Sequence, residues 1–251
     1  MILGIDTSIG TAVGLVESDG LVLAEASSPD PRGHAEVIGA LLSDLTRPTS
    51  PRLGAAGSGS ATADIPTAIT HVAAGMGPGP FTGLRVGIAA ARAFALGGDG
   101  GRGIPVVPVV SHDAAAFAQL MSDAAAAVDT PRFAVVTDAR RREFAFTVYE
   151  SLDDDGLPVR VAEPQLAHRD ELDARLADLD AARLDVTAIS GAMLAVVAAR
   201  ALAAGRTVGP SEPLYLRAPD VTLSAPKSPP PLQSPPARRP EPPDARAQVV
   251  P

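Results

Sequence analysis

Thirteen residues, Gly75-Met76-Gly77-Pro78-Gly79-Pro80-Phe81-Thr82-Gly83-Leu84-Arg85-Val86-Gly87, restrict this chain more than any other segment. An apolar run, Ala68 to Ala74, enters them and an alanine-rich run, Ile88 to Leu96, leaves them, which is the pattern of strand, tight loop and helix. Pro78 and Pro80 fix φ, while Gly77 and Gly79 supply backbone geometry that a side chain forbids. Thr82 reads as the N-cap of the helix. Glycines at such a junction either free backbone N–H groups for an anion or let the helix pack very close to something. Gly83, Gly87 and Ala91 recur at i, i+4 and i+8, so they share one face and form a groove, with Leu84, Ile88 and Ala95 extending the apolar surface beside it. A glycine inside a helix costs about 1 kcal/mol and calls for a compensating close contact. Burial under the protein's own sheet is the usual fate of such a stripe. The excess of small residues nevertheless favours a second polypeptide as the covering element.

Composition narrows the alternatives. Hydrophobic residues make up 46% of the 251, but only 3% are aromatic and Trp is absent, so alanine, valine and leucine must do the packing. With no cysteine, the chain has no disulfide, thiolate metal site or cysteine nucleophile, which fits a reducing compartment. A net charge of −8 argues against unaided binding of nucleic acid, which needs clustered Lys and Arg. The start lacks the basic flank and apolar length of a signal peptide. The uncharged run Val186 to Ala199 is shorter than the ~20 residues that span a bilayer. A soluble cytoplasmic protein with no membrane association is expected.

In chain order, Ile2 to Ile5, Thr11 to Val16 and Leu21 to Ala26 read as an antiparallel meander. His34 to Leu45 reads as a helix presenting Val37, Ile38, Leu41, Leu42 and Leu45, ended by Pro48. Thr46 to Thr62 is a polar loop. After the glycine-proline stretch come a buried strand, Ile104 to Val110, and a helix from Asp113 to Val128 capped by Ser111. Phe133 to Asp138, Phe144 to Glu150 and the acidic turn Asp153 to Gly156 then repeat the plan of Ile2 to Asp6, Thr11 to Glu17 and Ser18 to Gly20, which suggests two related halves. A helix from Arg169 to Asp180, a strand from Asp185 to Ser190 and a helix from Ala192 to Ala204 complete the second half. The expected division is 1–103, 104–220 and a disordered tail, 221–251, with ten prolines between Pro226 and Pro251.

Ile2-Leu3-Gly4-Ile5-Asp6-Thr7-Ser8, His34-Ala35-Glu36, the stretch Gly77 to Gly87, Asp138-Ala139-Arg140 and Leu214 to Asp220 together resemble the TsaB family, the dimerisation subunits of the bacterial tRNA threonylcarbamoyladenosine machinery. Two departures stand out: Pro80 occupies a position where the family usually has Ser, and Ala35 one where Ser is common. The resemblance implies an α/β fold of two ribonuclease-H-like lobes, of the actin-like, Hsp70 and sugar-kinase type. It also implies a noncatalytic scaffold that pairs with the homologous transferase TsaD through first-lobe helices, is joined by the ATPase TsaE, and forms homodimers when alone. The complex modifies the adenosine beside the anticodon, with tRNA reached only indirectly by this chain and any ATP or ADP at the assembled interface. No cofactor or metal of its own is implied.

The expected partner-binding residues are His34, Glu36, Val37, Ile38, Leu41, Leu42, Leu45, Leu84, Arg85, Gly87, Ile88, Ala91 and Arg92. The glycine-proline loop contributes Gly77, Pro78, Gly79, Phe81, Thr82 and Gly83. Asp6, Thr7, Ser8 and Asp138 would mark a vestigial nucleotide cleft, against which stands a turn role, with Asp6 accepting backbone N–H bonds from Ser8 or Gly10. His34, His71, His112 and His168 are scattered, with no pair one helical turn apart, which argues against a metal-dependent peptidase. A stand-alone phosphotransferase is the other rival. Arg140-Arg141-Arg142 reads first as a solvated turn and second as a partner contact.

Overall fold

The computed structural model describes residues 1–47 and 68–217. Pro48, most of the polar loop and the proline-rich tail lie outside the described residues. In chain order the elements are β1 (Ile2–Asp6), β2 (Thr11–Val16), β3 (Val22–Ser28), α1 (His34–Thr46), β4 (His71–Gly75), α2 (Phe81–Gly101) and β5 (Val106–Val109). These are followed by α3 (Ser111–Ala125), β6 (Phe133–Asp138), β7 (Glu143–Leu152), β8 (Pro158–His168), α4 (Leu172–Asp178), β9 (Ala182–Asp185) and α5 (Gly191–Ala203).

The first sheet has the order β3-β2-β1-β4-β5, with the meander antiparallel and β4 and β5 added in parallel. Every residue of β1 and β2 is buried. Such strands carry apolar groups on both faces. Leu3, Ile5, Val13 and Leu15 meet α1 and α2 on one side, while Ile2 and Val16 meet α5 on the other. Each fully buried leucine of this kind contributes about 1.5–3 kcal/mol.

The second sheet, β8-β7-β6-β9, repeats the pairing of β3-β2-β1-β4: two antiparallel neighbours and one parallel strand on the far side of the central one. The sequence echo therefore extends to topology. Strand β5 hydrogen-bonds to β4 in the first sheet, and α5 packs on β1 and β2. Two elements that follow residue 103, β5 and α5, thus pack with the first sheet, because the chain crosses back to cover its open face.

Strand β8 was absent from the sequence reading, and β9 ends where a strand was expected to begin. Helix α2 starts with its N-cap at Pro80 and has no side-chain cap, so Thr82 does not fill that role. Leu84 N already donates to Pro80 O at 3.0 Å, which starts the helix two residues earlier. Ser111 likewise lies inside α3, its hydroxyl engaged elsewhere.

Candidate functional site

Helix α2 and its loop close on the β1–β2 turn through glycines spaced four apart. A Cβ at Gly75 would collide with Asp6 Oδ2, one at Gly79 would stand 2.8 Å from Ser8 Cα, one at Gly83 2.7 Å from Thr7 O, and one at Gly87 would collide with Thr7 Oγ1. The glycines are there because the turn Asp6-Thr7-Ser8 occupies the space. Thr7 Oγ1 donates to Gly83 O at 2.7 Å and accepts from Gly87 N at 3.1 Å. It bridges the carbonyl and the N–H that a regular helical turn joins directly. The close partner that the glycine stripe called for is thus the protein's own turn.

Asp6 is 1% exposed. Its Oδ1 accepts Ser8 N at 2.8 Å and Ser8 Oγ at 2.6 Å, and its Oδ2 accepts Ser111 Oγ at 2.5 Å. Burial raises its pKa above the ordinary carboxylate value, with the hydrogen bonds from Ser111 and Ser8 opposing. Ser111 Oγ in turn accepts Gly77 N at 3.1 Å, so this knot ties β1 and the glycine-proline loop to α3. Beside it, Thr11 Oγ1 and His34 Nδ1 lie 2.9 Å apart, and His34 is buried. Gly4 and Gly14, paired across β1 and β2, receive the start of α5: a Cβ on either would collide with the backbone of Gly191 or Ala192. Thus Asp6, Thr7 and Ser8 are committed to internal packing.

Asp138, at the equivalent strand end of the second sheet, is exposed; it accepts Arg140 N at 2.8 Å and pairs with Arg169 at 3.0 Å. The two aspartates therefore occupy different surroundings, one sealed and one solvated.

The helical stripes expected to face a partner turn inward. Ile38, Leu45, Leu84, Ile88 and Ala91 belong to the core under the first sheet, and Gly87 is buried on Thr7. Each helix carries one apolar stripe, and its own sheet takes it. Val37, Leu41 and Leu42 are half-buried, while Glu36, Arg85 and Arg92 are exposed. Arg85 lies 3.8 Å from the Phe81 ring centre and donates to Tyr215 Oη at 3.2 Å, holding the segment before residue 217 against the start of α2. The small exposed residues of the outward side are Ala35, Gly39, Ala40 and Ser43 on α1 and Ala89, Ala93 and Gly97 on α2, interspersed with Glu36, Asp44, Arg85, Arg92 and Leu96. A Cβ at Gly39 or Gly97 would meet nothing within 4 Å.

Two polar centres in the second half escaped the sequence reading. His112, fully buried, sits between Thr147 Oγ1 at 2.8 Å and Thr137 Oγ1 at 3.0 Å, and burial together with the nearby Arg160 lowers its pKa to about 3. Asp113 accepts Arg160 at 2.8 and 2.5 Å and Tyr149 Oη at 2.7 Å. Burial weighs against the Arg160 cation, and Asp113 more than offsets it, holding the guanidinium above its ordinary value. A cavity of about 290 Å³ opens beside this pair, lined also by Asp153, Glu163 and Arg206. The signal in the sequence was the adjacent His112-Asp113 inside an otherwise alanine-rich helix. No group of three or more His, Cys, Asp or Glu able to hold a metal occurs among the described residues. No helix among them is long and apolar enough to cross a membrane.

Two sheets of repeated topology, the first covered by the crossing helix α5, define a two-lobed α/β fold. The family model for TsaD, tRNA N6-adenosine threonylcarbamoyltransferase, matches residues 60–165. The fold is shared with YeaZ from Pseudomonas aeruginosa at a TM-score of 0.61 and 21% identity, covering 86% of this chain and 99% of that one. A second Pseudomonas aeruginosa structure, described as similar to the peptidase YeaZ, matches equally well. A Mycobacterium tuberculosis protein is 37% identical over 151 residues, 59% of this chain and 58% of that protein. A Mycobacterium leprae protein is 33% identical over 180 residues, 69% of this chain and 40% of that one. The chain thus spans less than two thirds of the length of these curated relatives. Its fold is thus that of YeaZ, and part of it matches the TsaD family model.

Proposed function

We propose that this chain is a noncatalytic scaffold that pairs with a TsaD-type threonylcarbamoyltransferase through the outward face of α1 and α2, and so supports modification of the adenosine next to the anticodon. The observation that carries the reading is the contrast between the two sides of that helix pair. On the inner side the Asp6 carboxylate, the group a phosphotransferase of this fold would use, is consumed by Ser8 and Ser111. On the outer side, Gly39 has no covering atom in its own chain, although a mid-helix glycine costs about 1 kcal/mol relative to alanine. Small residues let a second helix approach closely. A TsaE-type ATPase would join the pair, a second copy would occupy the same face when the partner is absent, and any ATP or ADP would sit at the assembled interface.

Titration calorimetry of the chain with a TsaD-type subunit tests this, using Ala93→Arg on the open face. The variant is expected to keep wild-type thermal stability, since Ala93 is exposed, and to lose partner affinity by about 100-fold, the ~2.7 kcal/mol of a central contact. Unchanged affinity would remove the proposed face. ATP turnover by the isolated chain would remove the noncatalytic reading.

A further inference from the structure

Arg140, Arg141 and Arg142 have φ of 64°, 52° and 66°. Among the described residues this is the only run of consecutive non-glycine residues with positive φ. Glu143 N donates to Arg140 O at 3.0 Å, closing a turn whose two central residues are both left-handed. Asn-Gly meets that requirement without strain; two arginines do not. Strained backbone persists where something else fixes it, and such positions gather at functional sites. Joining β6 to β7 requires no positive charge, so the arginines need a reason of their own.

Their surroundings are largely paired among themselves. Arg169 N donates to Arg142 O at 2.9 Å, and its guanidinium pairs with Asp138 at 3.0 Å and lies 4.9 Å from the Phe144 ring centre. Arg217 pairs with Glu143, and His168 lies 3.3 Å from Asp170. The nearby carboxylates Asp138, Glu143 and Asp170 are thus each engaged by a group outside the triplet. Among the described residues, no carboxylate holds the guanidinium of Arg140 or Arg142, and both side chains are exposed.

We propose that the β6–β7 turn is a docking point for the phosphate backbone of RNA, with Arg140 and Arg142 as the contacting cations and Arg169 behind them. The inference rests on the reading of the chain as part of a tRNA-modifying assembly, and it replaces purely indirect contact with tRNA by a direct one. Global acidity does not prevent it, because phosphate neutralisation is local and Arg is suited to bidentate phosphate contact.

The test is Arg140→Gly/Arg142→Gly, which removes two charges and relieves the left-handed strain together. Binding of an unmodified tRNA transcript is followed by fluorescence anisotropy from about 50 to about 200 mM salt, for the full chain and for its complex with a TsaD-type subunit. The expected result is a higher thermal midpoint, weaker tRNA binding, and a salt slope reduced by about 0.9 per lost phosphate contact, roughly 1.8 for the pair. Arg140→Lys/Arg142→Lys should retain most of the binding. Wild-type tRNA affinity and slope in the glycine variant would overturn the proposal. So would intact tRNA binding with lost partner pairing, which would make the turn a contact for an acidic protein surface. Should the wild-type chain fail to pair with any TsaD-type subunit, the scaffold reading falls, and the chain-only arm still decides the RNA contact.

Discussion

Two mid-helix glycines with opposite surroundings make opposite demands. In a bare helix either one gains about 1 kcal/mol on becoming alanine. At Gly87 the new Cβ would collide with Thr7 Oγ1 and lie 3.0 and 3.1 Å from Thr7 Cγ2 and Cβ. Thr7 is 1% exposed and cannot swing clear. Overpacking of a filled site costs about 1–3 kcal/mol, and losing the two hydrogen bonds of the Thr7 bridge costs about 1 kcal/mol each. Setting the propensity gain against these, Gly87→Ala should destabilise by about 2–4 kcal/mol, a fall in Tm of roughly 5–15 °C for a chain of this size. Gly39→Ala meets no atom within 4 Å and should stabilise the isolated chain by about 0.4–1 kcal/mol. Urea denaturation of the two variants, followed by circular dichroism and compared at equal m-value, measures both. Should Gly87→Ala prove as stable as Gly39→Ala, helix α2 is not pinned on Thr7 and the account of the glycine-proline stretch is wrong.

Two further outcomes follow from buried titratable groups. His112 has a folded pKa of about 3 against an ordinary 6.5, so its contribution is complete above pH 6.5 and is lost as pH falls toward 3, at up to about 1.4 kcal/mol per unit. The stability difference between wild type and His112→Gln, measured across that window, should shrink in favour of the variant as pH drops; a constant difference would contradict the buried neutral imidazole. Asp6 shifts the other way: its folded pKa is raised above 3.8 by burial, so the wild type should lose stability as pH rises from that value through the folded pKa. In Asp6→Asn that decline should shrink to the part that buried Asp113, also raised, contributes, while Asp6→Ala should cost about 1–3 kcal/mol by stranding the donors of Ser8 and Ser111. An unaltered pH profile in Asp6→Asn would show that the carboxylate is not desolvated as described.

Local chemistry written into short segments was legible in the sequence. The limits of β2 and β6 coincide with the expected ones, because apolar runs bounded by turn residues define them. Asp6 was readable as a turn acceptor, and its bond from Ser8 N is of that kind. What the sequence did not disclose is which surface meets the glycines. A stripe of Gly83, Gly87 and Ala91 looks the same whether it receives a foreign helix or a threonine from the same chain, since spacing encodes closeness and not identity. Thr7 and Gly87 are 80 residues apart, and only the parallel pairing of β1 with β4 brings them together. The edge strand β8 was missed because Arg160, Glu163, Pro164 and Gln165 dilute its apolar alternation. Asp113 and Arg160, 47 residues apart, meet only once that strand is in place. Leu96, 74% exposed, carried the better hint of an outer face, but it fell outside the stripe that periodicity picks out.

The chain contains no cysteine, so Ala93→Cys places one thiol on the open face of α2. Its alkylation rate, measured with and without a TsaD-type subunit, reports on that face directly. The scaffold account predicts rapid labelling of the chain alone and strong protection in the complex. Equal rates in a complex shown to have formed would contradict it.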